Sequence, residues 1–136
     1  MVSQAEDRVA EAFRILSRPG ALPGVFHCAA GKDRTGVLAG LLLSTLGVAD
    51  DDVVADYALT AQAMTRMQER WAAESEASRA ALAATPAAFM AADPLAMAGM
   101  LALIRQEHGS TRDYVRSLGV TDAVLTDLED ALLEPV

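Results

Sequence analysis

Aromatic residues are scarce in this 136-residue chain, with three Phe, two Tyr and one Trp. The core therefore falls to Leu, Val, Ile and Met rather than to ring packing. Cysteine is scarcer still. Cys28 stands alone with two His in the whole chain, which excludes an intramolecular disulfide and a tetrahedral structural zinc site. Basic residues number 11 against 19 acidic ones, a net charge of −8. That balance excludes sequence-independent nucleic-acid binding, which needs clustered Lys and Arg to neutralise phosphates. Any anion site must be local. No run reaches the roughly 18 to 20 apolar residues of a membrane span, and residues 1–14 are polar and amphipathic, unlike a secretory signal. The expectation is a cytoplasmic protein with no integral membrane segment and no bound metal or cofactor. What the chain has in abundance is alanine, 28 residues, which buries little area and favours helix. Residues 1–136 are read as a single, predominantly helical domain.

The apolar spacing assigns elements along the chain. Ser3 and Glu6 form a capping box ahead of Ala5, Val9, Ala12, Phe13 and Leu16, predicting a helix from Ser3 to about Arg18 that breaks at Pro19 and Gly20. Gly24 to Cys28 is a short apolar run bounded by turn residues and reads as a buried strand. Thr35 to Leu46 is apolar nearly all round, predicting a fully buried helix closed by Gly47. Asp50, Asp51 and Asp52 open a helix that runs through Val53, Tyr57, Thr60, Met64 and Met67 towards Trp71. The stretch from Glu74 to Pro94, with breakers at Thr85, Pro86, Asp93 and Pro94, reads as a helix end and a mobile connection. Three further helices follow: Leu95 to His108, Thr111 to Leu118 capped by Ser110, and Asp122 to Leu133 capped by Thr121. The Met64, Met67, Met97 and Met100 set has helical spacing and reads as core.

Chemistry concentrates between the expected strand and the helix after it. Residues 27–36 read His27, Cys28, Ala29, Ala30, Gly31, Lys32, Asp33, Arg34, Thr35 and Gly36. A thiolate that attacks phosphorus needs stabilisation as an anion, a cradle for non-bridging oxygens and an oriented counter-charge. Consecutive amides in a glycine-containing loop make an anion-binding concavity, and the N-terminus of the following helix points its partial positive charge into it. The same field favours Cys28 as thiolate. Arg34 can grip two phosphoryl oxygens with a planar fork that Lys cannot imitate. Thr35 can donate its hydroxyl to the Cys28 sulfur, Lys32 adds positive charge at the rim, and His27 faces the interior and bonds to backbone near the sulfur. A Walker reading of Gly31-Lys32 fails because Phe26 and Asp33 stand where Gly and Ser or Thr are needed. Rhodanese-like sulfur transfer is set aside for lack of an Arg-Thr-Gly helix start.

At these residues the chain resembles the cysteine-dependent protein tyrosine and dual-specificity phosphatases. It is most similar to the bacterial and fungal branch whose signature reads His-Cys-x-Ala-Gly-Lys-Asp-Arg-Thr-Gly, some members of which take phosphoinositides. Asp56, Tyr57, Leu59 and Thr60 resemble that branch's Asp-Tyr-Leu-x-Ser segment, and residues 108–119 (HGSTRDYVRSLG) its Tyr-Gly-Ser-x-x-x-Tyr-Leu ending. The resemblance implies an α/β fold with a strand, phosphate loop and helix unit. It implies Cys28 as nucleophile, Arg34 as phosphate clamp, Thr35 as hydroxyl partner and Asp33 as the loop aspartate that protonates the leaving oxygen. Residues 29–34 would bind the phosphoryl group, with His27 and Gly36 in support.

Members of the family carry a large N-terminal portion with several strands of the central sheet, whereas 27 residues precede Cys28 here. The chain is thus expected to match the C-terminal half of the domain, with most of the sheet missing. The main functional expectation is phosphomonoester hydrolysis through a phosphocysteine intermediate, on a phosphorylated protein or a phosphoinositide-like substrate. The alternative is a truncated, weakly active or inactive phosphate-binding module, or a fragment that forms a homodimer through its unpaired strand.

Overall fold

The computed structural model describes residues 4–134, and all regular structure among them is helical. Helix α1 (Gln4–Leu16) buries Ala10 and Phe13, and places Glu6 and Asp7 in its first turn and Arg14 in its last, matching the helix dipole. The Ser3 cap expected for it lies outside the described residues. Helix α2 (Asp33–Thr45) follows the cysteine loop, and α3 (Asp50–Ala58) starts on the acidic triplet. Next come α4 (Thr60–Glu74), α5 (Glu76–Ala84) and the one-turn α6 (Ala87–Met90). The chain ends with α7 (Pro94–His108), α8 (Thr111–Ser117) and α9 (Asp122–Leu132).

Helix α2 packs on α3 and α8, α7 lies across α3 and α8, α1 pairs with α9, and α4 folds back on α5. The larger core joins Phe13 of α1, Leu41 of α2, Val115 of α8 and Leu125 and Leu128 of α9. A smaller one joins Val53 of α3 to Met97 and Leu101 of α7. Helices α2 and α7 meet at Gly40, where a Cβ would stand 2.8 Å from the Met97 sulfur, so a larger residue there would require the Met97 side chain to shift. The α4–α5 hairpin adds Met64 alone as a buried residue.

The expected strand is corrected. Among the described residues there is no strand, and Gly24 to Cys28 is irregular, with Val25 93% and Phe26 37% exposed. A strand is stabilised by a ladder with a neighbour, and no second strand-like run exists in the chain to supply one. The α/β expectation therefore becomes an all-helical fold, and the strand, phosphate loop and helix unit lacks its strand. Contrary to expectation, helix α2 is not buried all round: Leu41 and Leu42 are buried while Val37 is 38% exposed. The helix expected from Asp50 to Trp71 is broken at Leu59 into α3 and α4. The expected mobile connection contains α5, favoured by its alanines and capped by Ser75, whose hydroxyl accepts from the Ser78 amide at 3.0 Å. Helices α7, α8 and α9 form as read, with side chains of Asp93, Ser110 and Thr121 on their first-turn amides. Met64 and Met97 are buried, and Met67 and Met100 half-buried.

Candidate active site

The loop after Cys28 turns back on itself at Gly31, whose φ of +65° lies in the left-handed region that L side chains rarely adopt. The reversal delivers the chain to the start of α2. Lys32 stands at the cap position of that helix without placing a side chain on it, so no side-chain oxygen competes for the first-turn amides. The Thr35 amide of that turn faces the Cys28 sulfur. The Thr35 hydroxyl donates to it, as do the backbone N–H groups of Thr35, Lys32 and Gly31. Against the opposing effect of burial, they pull the Cys28 thiol from 9.0 down to about 6, with the Thr35 hydroxyl making the largest contribution. Thr35 also fixes the start of the loop, because its Oγ accepts from the Cys28 N–H at 2.9 Å. One threonine thus holds both ends of the turn.

The remaining expected site residues are less closely gathered. Arg34, the second residue of α2, is exposed and makes no hydrogen bond or ion pair among the described residues. Asp33 opens α2 with its side chain 72% exposed and a carboxylate oxygen 3.3 Å from the Lys32 ammonium. Ala29 and Ala30 are exposed in the loop. His27 is corrected: it is exposed rather than interior, with Nδ1 3.0 Å from the Cys28 carbonyl oxygen. Lys32 is also corrected. It is buried at 4% exposure, and its ammonium donates to the carbonyls of Phe89 and Ala91 instead of standing at the rim.

Gly36 acquires a packing reason. A Cβ there would lie 2.7 and 2.8 Å from carbons of the Tyr57 ring, so α2 and α3 approach this closely only with glycine. Burial, then the negative charges of Asp33 and Asp93, raise the Tyr57 phenol above its usual range, keeping it protonated beside the loop. A cavity of about 120 Å³ opens on this side, lined by Gly31, Thr35, Asp56, Tyr57, Thr60 and Met97 among others. A wider groove of about 420 Å³ lies elsewhere, between Arg18 to Leu22 and the Asp127 and Asp130 carboxylates, and does not include Cys28. In the sequence Tyr57 stands only as part of a helical stripe and of the segment with Asp56, Leu59 and Thr60, with nothing that places it at the site. The contacts of Lys32 with Phe89 and Ala91 had no local signal, since they join positions 57 and 59 residues apart.

Among the described residues no group of three or more His, Cys, Asp or Glu is placed to hold a metal ion. None of the described helices is long and apolar enough to cross a membrane. The arrangement sets the Cys28 thiol just ahead of α2, with its ionisation favoured by the Thr35 hydroxyl and by the amides of Thr35, Lys32 and Gly31.

The chain is 31% identical over 114 residues to a tyrosine-protein phosphatase of Nostoc commune, covering 77% of this chain and 37% of that protein. It is 31% identical over 123 residues to the triple specificity protein phosphatase PtpB of Mycobacterium tuberculosis, covering 82% and 44% respectively. A shorter match, 67% identical over 33 residues, joins 24% of the chain to 12% of a putative tyrosine-protein phosphatase of Cupriavidus necator. The chain spans less than half the length of each of these relatives. The tyrosine phosphatase family profile matches residues 1–134, and the chain belongs to that family.

Proposed function

We propose that this chain carries the phosphate-binding loop of a cysteine phosphatase and acts, by itself, as a phosphate-binding module with a reactive thiolate and slow turnover. The observation that carries this reading is the surroundings of Cys28: a sulfur at the start of α2, met by the Thr35 hydroxyl and three amides and depressed to about 6. Donors that meet a sulfur anion are suited to phosphoryl oxygens brought to the same place. In the reaction the thiolate forms a bond to phosphorus as the ester oxygen leaves with its electron pair. Water then displaces the sulfur and releases phosphate. Arg34, without a partner among the described residues, is available to fold onto two of the oxygens, and Asp33 is the loop carboxyl that the resemblance assigns to protonating an alkoxide leaving group.

Slow turnover follows from what does not hold the loop. Val25 and Phe26 join no ladder among the described residues, so the segment entering the loop lacks a rigid support, and loose geometry costs rate. The substrate class is a phosphomonoester, for which a phosphoprotein and a phosphoinositide present the same terminal group. Turnover of p-nitrophenyl phosphate, whose leaving group needs no acid, tests the reading. The wild type is expected to show slow hydrolysis inhibited by orthovanadate, and Cys28→Ser to show none. A wild type no faster than Cys28→Ser would leave a binding module without turnover.

A second reading is favoured by the 93% exposure of Val25 beside the half-open Phe26. An unpaired apolar segment invites pairing with another chain, and a homodimer formed there would give the loop its missing support. Native mass spectrometry across protein concentration tests it.

A further inference from the structure

Lys32 is the only lysine in the chain, and it is buried in an acidic protein at the middle of an anion-binding loop. An ammonium carries three protons and no acceptor. Here three oxygens surround it: the Phe89 carbonyl at 2.7 Å, the Ala91 carbonyl at 2.9 Å and the Asp33 carboxylate at 3.3 Å. Two of its protons are hydrogen-bonded to backbone carbonyls and its charge is paired with Asp33, all within the protein. The two carbonyls belong to the C-terminal end of α6 and the residue after it, where helix carbonyls lack intrahelical partners and the dipole favours a cation. Helix α6 has no buried residue of its own, so packing does little to hold it. Beside the half-buried Met90, which lines a groove with Gln68 and Leu82, and the buried Ala92, the Lys32 ammonium ties it to the loop.

We propose that Lys32 is a positioning residue rather than a phosphate ligand: it latches residues 87–91 to the phosphate loop and couples the order of that segment to occupation of the loop. The coupling rests on the proposed phosphate-binding reading. The amide of Lys32 is one of the donors facing the Cys28 sulfur, while its side chain reaches α6. An oxyanion that orders the loop backbone therefore fixes the root of the latch. By reciprocity, a latched segment favours the binding conformation of the loop.

Phe89 makes the latch measurable, because its side chain is 72% exposed and chymotrypsin cleaves after Phe once the local backbone opens. Limited digestion with mass detection compares the wild type with Lys32→Met, with and without millimolar inorganic phosphate. Without phosphate, cleavage after Phe89 is expected to be about fivefold faster in Lys32→Met, as loss of local protection requires. Phosphate is expected to slow this cleavage in the wild type and not in the variant. Equal rates in the two proteins without phosphate overturn the latch. Phosphate that shields Cys28 from iodoacetamide yet leaves cleavage after Phe89 unchanged in the wild type overturns the coupling. Phosphate that fails to shield Cys28 strikes the phosphate-binding reading, whereas the phosphate-free digestion decides the latch independently. Acetylation of the single lysine needs no variant. A latched amine should react about tenfold more slowly in the native protein than in urea, and equal reactivity overturns the proposal.

Discussion

Replacing Thr35 by Val removes the hydroxyl that contributes most to the depressed Cys28 thiol while leaving the amides of Thr35, Lys32 and Gly31 in place. With a midpoint of about 6, Cys28 is half ionised at pH 6 and about nine-tenths ionised at pH 7, where a thiol of pKa about 8.5 is only a few per cent ionised. Loss of the largest of four donors should raise the midpoint by about one unit. At pH 6 the thiolate fraction then falls about fivefold, but the more basic sulfur is about threefold more nucleophilic for a Brønsted slope near 0.4 to 0.5. Alkylation by iodoacetamide should therefore be about twofold slower in the variant at pH 6 and about threefold faster above pH 9, so the two rate profiles cross. The variant also leaves the Cys28 N–H without its acceptor, which loosens the loop and adds to the upward shift. The assay is the pH dependence of single-site alkylation, unambiguous because the chain has one cysteine. A wild-type midpoint at 8.5 or above, or profiles of the two proteins that superimpose, would refute the reasoning. Linkage gives the sign for stability. A thiol depressed in the folded state contributes stability that is complete above the unfolded value and is lost as pH falls towards about 6.

Other consequences are equally concrete. Gly36→Ala gains up to about 1 kcal/mol of helix propensity but forces a Cβ against the rigid Tyr57 ring, a clash that typically costs about 1 to 3 kcal/mol. A lowered urea midpoint is expected, and an unchanged or raised one would show that α2 and α3 separate freely. Leu101→Ala empties a site 1% exposed in the smaller core and should lower stability by about 2 to 5 kcal/mol in the same urea assay. A loss under 1 kcal/mol would mean that α3 and α7 collapse around the gap. Arg34→Lys keeps the charge and loses the fork, so phosphate should protect Cys28 from alkylation at least about tenfold less well than in the wild type. Equal protection would remove Arg34 from phosphate binding.

Where a signal is local, the sequence announces it. Ser110 and Thr121, read as caps, each sit one residue before a helix and accept from its first-turn amides, whereas Asp93, read as a breaker, caps α7 in the same way. Gly31 turns the loop with a positive φ, and the Thr35 hydroxyl accepts from the Cys28 N–H. Elsewhere the pattern misled because it is half of a pair. Residues 24–28 have strand composition, but the ladder that makes a strand needs a second one, and α2, apolar nearly all round, leaves Val37 38% exposed. Lys32 read as a rim charge because its partners, Phe89 and Ala91, lie far along the chain and offer backbone carbonyls that leave no mark in composition. The helical run from Asp50 to Trp71 hid its break at Leu59 because that residue keeps helical dihedrals, φ −58° and ψ −26°.

The central claim is that the loop from Cys28 to Thr35 binds a phosphoryl group against an activated thiolate. Its most direct measurement is the rate of Cys28 alkylation at pH 7 as inorganic phosphate or orthovanadate is titrated in, with chloride at equal ionic strength as control. The account predicts saturable protection by both oxyanions and none by chloride. Alkylation that proceeds at the same rate at every phosphate and vanadate concentration would contradict it.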